Sequence, residues 1–381
     1  MNSVAFIHDH HFYTNDTHDA FSPGKLTNKS FERYLKHFSS ITIVSRFSVI
    51  DNTQTDFGLL NKVTDDNVSF EGFPSQSNLL NRFVFRNYYR SKLGIILKNF
   101  DALIIRIPSE IGFLAAEVAI DLGIPYVCEI VACPADAMDG FSSFKASLYK
   151  YIISKTMRQT ALRANGCLYV TERFLQEKYP TTGFSTSASN VEIDSICDPK
   201  VHMKKEKYLL VSTGNLDSHH KGYGVLYAAL KLMDSKISFK LEVKLVGPGN
   251  NFIKDNQYKN IEVTYPGALS KVELLKELDA ADLYLQPSNQ EGLPRATIEA
   301  MSRGLPCVVS DAGGLPELVQ GSLVHNKHSF EELAEKVILI LNMPQVYNDA
   351  ANSNVYKALD YMPELLNSKR FNFFERLKNL I

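Results

Sequence analysis

Short apolar runs alternate along this chain with longer stretches in which apolar residues recur every three or four positions, the two periods that separate strands from helices. In the first half, residues 4–7, 41–44, 102–107, 125–130 and 166–170 read as buried strands, and 28–37, 109–122 and 171–178 as helices between or after them. A second series opens with a strand at 208–212, followed by a helix at 225–233 and strands at 241–246 and 261–265. It continues with a helix at 271–278, a strand at 282–286, a helix at 295–303, a strand at 307–310 and a helix at 330–341. Strands alternating with helices predict an α/β fold built on parallel, doubly wound sheets. Residues 8–25 read as a long polar loop, 190–207 as a polar hinge, and 356–381 as a tail with a final helix that Pro363 bends or interrupts.

Length adds a division. At 381 residues the chain is long for one hydrophobic core, so two domains of ordinary size are expected. The hydrophobic fraction of 45% and charged fraction of 22% are those of a soluble globular protein. A net charge of −1 gives no reason to expect a nucleic-acid partner. Cys128, Cys133, Cys167, Cys197 and Cys307 share no metal-ligand spacing and read as reduced thiols, so no zinc site is expected. The first residues have neither the basic start nor the apolar run of a signal peptide. Residues 111–133 are interrupted by Glu117, Asp121, Glu129 and the Gly123-Ile124-Pro125 turn, which makes them helix-turn-strand rather than a membrane span. The expected location is the cytoplasm. His8, His10, His11 and His18 lie in irregular sequence with no i, i+4 pairing, so a metal reading has little support.

Two segments depart from the neutral background. Residues 72–100 contain no Asp or Glu but carry Arg82, Arg86, Arg90, Lys92 and Lys98 among Phe83, Phe85, Tyr88 and Tyr89. Residues 140–170 are equally free of acid and carry Lys145, Lys150, Lys155, Arg158 and Arg163. Such faces bind anionic membrane surfaces peripherally, or are simply solvated helix faces.

The chemistry concentrates in two turns. Residues 287–319 read Pro-Ser-Asn-Gln-Glu291-Gly292-Leu293-Pro294-Arg-Ala-Thr-Ile-Glu299-Ala-Met-Ser-Arg-Gly304-Leu-Pro-Cys-Val-Val-Ser-Asp-Ala-Gly313-Gly314-Leu-Pro-Glu-Leu-Val. Pro294 suits a first helical residue, because its missing N–H would be unsatisfied there anyway, and Gly304 stops the helix. Glu291 precedes that helix; Glu299 lies about 8 Å along its axis. Between them lie free first-turn amides that attract an anion, so the layout matches a ligand made of sugar, diphosphate and ribose. Two glutamates so spaced are also common on helix surfaces. The second turn, Thr213-Gly214-Asn215-Leu-Asp-Ser-His-His-Lys221-Gly222, joins a strand to a helix. Its amides can approach phosphates, and Lys221 can neutralise them.

Glu-Gly-Leu-Pro, Ile-Glu-Ala-Met, Gly-Leu-Pro-Cys-Val-Val-Ser and Gly-Gly-Leu-Pro-Glu-Leu-Val, in that order, closely resemble the donor-site signature of retaining glycosyltransferases of family 4, in which seven residues also separate the two glutamates. The resemblance implies the GT-B fold, two Rossmann-like domains facing a cleft. Residues 1–200 would bind the acceptor and 201–355 the nucleotide-sugar donor, with 356–381 crossing back to the first domain. It implies hexosyl transfer from a nucleoside-diphosphate sugar to a saccharide acceptor, retaining configuration, with no metal and no cofactor besides that donor substrate.

Carried over by position, Glu291 would hold sugar hydroxyls and Glu299 the ribose hydroxyls. Lys221 and the helix start at Gly292, Leu293 and Pro294 would stabilise the departing diphosphate. Gly214 and Lys221-Gly222 align with the phosphate-clamping turn, where Asn215 replaces the usual arginine; Lys221 is then the chief cation, with Lys207 or Arg295 as substitutes. Gly267 would lie near the base, Asp136 rather than Glu129 beside the reacting sugar, and His8 or Asp9 near the acceptor. A lipid-linked saccharide in surface polysaccharide assembly is the leading acceptor, a soluble glycan or protein the alternative. Rival readings are a nucleotide-sugar epimerase of similar fold and a non-catalytic subunit that retains the fold. Sugar, base and acceptor identity are not legible.

Overall fold

The computed structural model of the protein describes residues 3–14, 20–24, 26–49, 60–75, 84–136, 143–250, 252 and 257–381. His18, Lys25, Arg82 and Phe83 lie outside the described residues. The chain forms two compact units, Met1–Ala188 with Asn367–Ile381, and Ser189–Leu366.

The first unit is built on strands β1 (Ser3–Thr14), β2 (Ala20–Ser22), β3 (Ser40–Val49), β4 (Asn61–Val63), β5 (Val68–Gly72), β6 (Ala102–Ile107), β7 (Tyr126–Ile130), β8 (Gly166–Tyr169) and β9 (Phe184–Ser187). The run β5-β3-β1-β6-β7-β8-β9 is parallel, while β2 pairs antiparallel with β1 and β4 with β2. Every residue of β6 and β7 is buried, which is why these strands read as unbroken apolar runs rather than alternating ones. The helix Glu110–Leu122 starts where the Ser109 hydroxyl accepts from the Gly112 amide at 2.9 Å and the Asp9 carboxylate accepts from the Glu110 and Ile111 amides. It ends at Gly123, whose φ of 68° is the left-handed conformation that favours glycine.

Part of residues 8–25, expected as a loop, is sheet. β1 runs on to Thr14 through a register shift between Ile7 and His11, and Phe12 stacks on Phe47 with ring centroids 5.6 Å apart. The histidine nitrogens serve this extension: His10 Nε2 meets Ser22 Oγ at 2.8 Å, His11 Nε2 meets Ser48 Oγ at 2.7 Å, and His8 Nδ1 meets the Arg106 carbonyl at 3.2 Å. Burial, aided by the Arg106 charge, pushes His8 down to about 3, so its ring is neutral at working pH. Asp9 is occupied as a helix cap.

Beneath this sheet Arg106 Nε and Nη2 donate to Glu129 Oε2 at 2.8 and 2.6 Å, and the Tyr34 hydroxyl donates to Glu129 Oε1 at 2.7 Å. Burial opposes the Glu129 carboxylate, but the Arg106 and Arg33 charges and the hydrogen bonds from Tyr34 and Arg106 together outweigh it and hold the group below the ordinary range. The tail helix Pro363–Lys378 brings Phe374 against Tyr34 at 5.1 Å and Glu375 to His37 at 2.7 Å. Pro363 begins this helix after a short turn at Leu359–Tyr361. Removing one member of a buried ion pair costs about 3–5 kcal/mol. Glu129→Ala is therefore expected to lower the stability of the first unit by that amount in urea denaturation; a loss under about 1 kcal/mol would mean that the pair is dispensable.

The second unit carries β10 (Lys207–Thr213), β11 (Lys240–Val246), β12 (Ile261–Gly267), β13 (Leu283–Gln286), β14 (Cys307–Ser310) and β15 (Val324–His325). All pair in parallel, in the order β12-β11-β10-β13-β14-β15. This is a doubly wound Rossmann-like sheet whose order reverses between β10 and β13. Helices Tyr223–Asp234, Lys271–Ala280, Arg295–Ser302, Phe330–Asn342 and Pro344–Ala358 cover it. The helix at Pro344–Ala358 has no counterpart in the sequence pattern. Its buried face is Tyr347, Ala350, Ala351, Asn354 and Ala358, helical in spacing but too small and polar to register as an apolar stripe.

Candidate functional site

The turns after β10 and β13 meet at the point where strand order reverses, the place where open α/β sheets leave a crevice at the strand carboxyl ends. The two turns are tied together. The amides of Asn289 and Gln290 donate to the His220 carbonyl at 2.8 and 3.3 Å, and Asn289 Nδ2 donates to the His219 carbonyl at 2.8 Å. Gly222 has φ 69°, and a Cβ there would lie 1.9 Å from the Pro287 carbonyl oxygen, so only glycine permits the approach. From the other side, the Gly314 amide donates to the Gly292 carbonyl at 2.8 Å.

This lacing brings Lys221 Nζ to 2.5 Å from Glu291 Oε1, across a sequence separation of 70 residues. Gly214 makes room for it: a Cβ at that position would stand 2.8 Å from the Lys221 side chain. Glu291 Oε1 also accepts from Ser288 Oγ at 2.8 Å and Gln286 Nε2 at 3.2 Å. Its side chain is 11% exposed.

The helix Arg295–Ser302 begins one residue later than expected, with Pro294 as its cap residue rather than its first helical one. Pro294 has ψ 121° and no side chain caps this end; no carboxylate sits in the first turn. Its amides are left for an anion by the physics of helix ends. Gly292 and Leu293 are half-buried at this entrance. Glu299 lies on the same helix, its side chain 8% exposed, with Arg295 Nη1 4.0 Å from Oε1. It borders a pocket formed by Glu192, Asp194, Ser195, Lys271, Leu275 and Arg303. Across that pocket Lys271 Nζ holds Asp194 at 2.5 Å.

The remaining residues singled out in the sequence fall in several places. Asn215 is exposed and spends Oδ1 on the Asp217 amide at 2.9 Å, shaping its own turn. Gly267 ends β12 with φ 82° and accepts from the Gly247 amide at 2.9 Å. Lys207 does not substitute for an arginine near the turn. It opens β10, so it lies at the opposite end of that strand from Gly214, paired with Glu242 at 2.8 Å and Glu262 at 3.2 Å. Asp136 belongs to the first unit, where Lys178 Nζ donates to it at 2.7 Å. Burial works against the Lys178 ammonium, but the Asp136 and Cys133 contacts raise it above its ordinary range.

Sequence reasoning missed Thr213, Tyr284 and Gln286. Tyr284 and Gln286 lie on β13 and Thr213 ends β10, and the Thr213 and Tyr284 hydroxyls meet at 2.8 Å. A polar Gln at the end of an apolar strand, five residues before a glutamate, was the one signal available.

Residues 197–357 match the family described as glycosyl transferases group 1. The chain is 29% identical over 321 residues to protein CapJ of Staphylococcus aureus, across 82% of this chain and 79% of that protein. It is 24% identical over 331 residues to the N,N'-diacetylbacillosaminyl-diphospho-undecaprenol alpha-1,3-N-acetylgalactosaminyltransferase of Campylobacter jejuni, across 79% of this chain and 84% of that protein. HepE of Anabaena, solved in complex with UDP, superposes with a TM-score of 0.61 over 100% of both chains at 16% identity, a likeness of fold.

Proposed function

We propose that this chain, with its GT-B fold and its match to glycosyl transferases group 1 over residues 197–357, is a glycosyltransferase, and specifically a retaining enzyme of the family 4 type. It moves a hexosyl unit from a nucleoside-diphosphate sugar to a saccharide acceptor in surface polysaccharide assembly. The observation that carries the reading is the Lys221–Glu291 pair at the strand-order reversal, beside a helix start with no capping side chain.

In this reading the diphosphate lies against the amides at Gly292, Leu293 and the first turn after Pro294, with Lys221 as its cation. Charge developing on the departing diphosphate is stabilised by donors already in place, without a metal. Glu291 accepts from a sugar hydroxyl and Glu299 from the ribose hydroxyls. Gly267 lies near the base, and the turn built by Gly214 and Asn215 holds Lys221 to the phosphates. Asp136 is the acceptor-side candidate, and the departing diphosphate takes the acceptor proton.

Two observations support a lipid-linked acceptor handled at the cytoplasmic membrane face. The Campylobacter relative's name carries a diphospho-undecaprenol acceptor. The helix Phe144–Arg163 exposes Leu148, Tyr151, Ile152 and Leu162, together with Lys155, Arg158 and Arg163, and no acidic residue. The other basic segment is weaker than its sequence suggests, because Arg86 and Arg90 are paired with Glu117, and Arg90 also with Asp121. Among the described residues no helix is long and apolar enough to cross a membrane.

With each basic residue near lipid contributing on the order of 1 kcal/mol, Lys155→Glu with Arg158→Glu should cut sedimentation with anionic vesicles at least about tenfold. Equal recovery with neutral and anionic vesicles would remove the membrane from the account. The transfer reading itself is tested by offering a panel of nucleotide sugars with and without a saccharide acceptor. Nucleoside diphosphate should accumulate only when acceptor is present, and conversion of the donor to its epimer without acceptor would overturn it.

A further inference from the structure

The side chains behind Glu291 form a chain of hydrogen bonds whose direction is fixed by chemistry. Lys221 can only donate, and a carboxylate in an ion pair only accepts. Gln286 must therefore turn its amide nitrogen toward Glu291, 3.2 Å away, and its Nε2 also donates to Ser288 Oγ at 2.8 Å. Ser288, its oxygen receiving that bond, gives its proton to Glu291 Oε1 at 2.8 Å. With its nitrogen so committed, Gln286 presents Oε1 to the Tyr284 hydroxyl, which donates at 2.5 Å. Tyr284 in turn can only accept from the Thr213 hydroxyl at 2.8 Å. Burial pushes the Tyr284 phenol well above its ordinary range, so it remains a proton donor throughout. Tyr284, Gln286 and Ser288 are all buried, at 0%, 1% and 0% exposure.

Three donors, Lys221, Gln286 and Ser288, thus converge on one oxygen of Glu291, Oε1, and none of them uses Oε2. We infer that Tyr284, Gln286 and Ser288 are positioning residues that fix the Glu291 rotamer and present Oε2 as the acceptor for a donor-sugar hydroxyl. Tyr284 acts at one remove: by pinning Gln286 Oε1 it prevents the amide from flipping, which would turn a carbonyl oxygen toward the carboxylate. The inference rests on the donor-site reading of Glu291 and deepens it. The hydrogen-bond chain discriminates for the sugar half of the donor, while the nucleotide half is held at the helix Arg295–Ser302 that follows Glu291.

The test uses the full chain with whichever of UDP, GDP or ADP most stabilises it, and with whichever sugar conjugate of that nucleotide binds most tightly in a panel. Tyr284→Phe removes one hydroxyl from a packed ring, and Gln286→Leu removes the amide at similar volume. Loss of one or two such bonds should weaken the nucleotide sugar about five- to thirtyfold while leaving the nucleoside diphosphate within about twofold. A merely structural role would move both ligands together, along with the melting temperature. Parallel loss for both ligands, or unchanged nucleotide-sugar affinity in both variants, would overturn the inference while leaving the donor-site reading intact. A parent protein that binds the diphosphate but none of the sugar conjugates in the panel, or binds neither, would overturn both.

Discussion

Glu291→Ala should lower kcat for sugar transfer by about 10²–10³-fold or more, since a preorganised polar contact at a reacting centre has that magnitude. The same change should leave nucleoside-diphosphate affinity within a few fold. Two consequences of the geometry oppose each other in that affinity. Alanine removes the proposed sugar contact, but it also releases Lys221 from a 2.5 Å ion pair and frees its ammonium for phosphate. Affinity for the free diphosphate can therefore even rise, while affinity for the intact donor falls. Steady-state kinetics with calorimetry on both ligands separates these effects. A variant that keeps near-parental kcat would remove Glu291 from the reacting centre.

Glu299→Ala should produce the complementary result, a loss of nucleotide binding of about 2–3 kcal/mol, or roughly 30- to 150-fold. The estimate rests on a nearly buried carboxylate offered to two ribose hydroxyls, each bond to a charged group contributing about 1.5 kcal/mol or more. Glu299 borders a pocket with Lys271 and Asp194 on its wall, and the proposed ribose contact would be made there. Because the ribose does not change during transfer, kcat at saturating donor should fall much less than affinity. Unchanged nucleotide affinity would place the ribose somewhere other than at Glu299.

The fold class was legible because parallel strands buried on both faces leave unbroken apolar runs, as at Ala102–Ile107 and Leu283–Gln286. Features that depend on packing partners were not. β1 continues past Ile7 because Phe12 finds Phe47 and Phe70, residues of two other strands, while the neighbouring histidines look like loop composition. The helix Pro344–Ala358 hides behind alanines, and Asn354 buries its amide only by donating to the Leu305 carbonyl at 2.9 Å. Arg86 and Arg90 read as free cations because their carboxylate partners sit on the next helix, about thirty residues on.

The site divides along the same line. Glu291, Glu299, Lys221 and Pro294 stand out by residue type and spacing within two turns. Their support does not: Thr213 and Tyr284 face each other only because β10 pairs with β13, with Val211 opposite Tyr284. Hydrogen-bond direction, which makes Gln286 more than a buried polar residue, is a property of the assembled chain. Lys207 shows the converse error, a cation near the turn in sequence that the strand carries to the far end of the sheet.

The most direct test is a crystal structure of the protein with its preferred nucleoside diphosphate bound. The phosphates should lie within hydrogen-bond distance of Lys221 Nζ and of the amides at Gly292, Leu293 and the first turn of Arg295–Ser302, with the ribose hydroxyls on Glu299. Phosphates lodged elsewhere, with Glu291 still paired to Lys221 and Glu299 away from the ribose, would contradict the account.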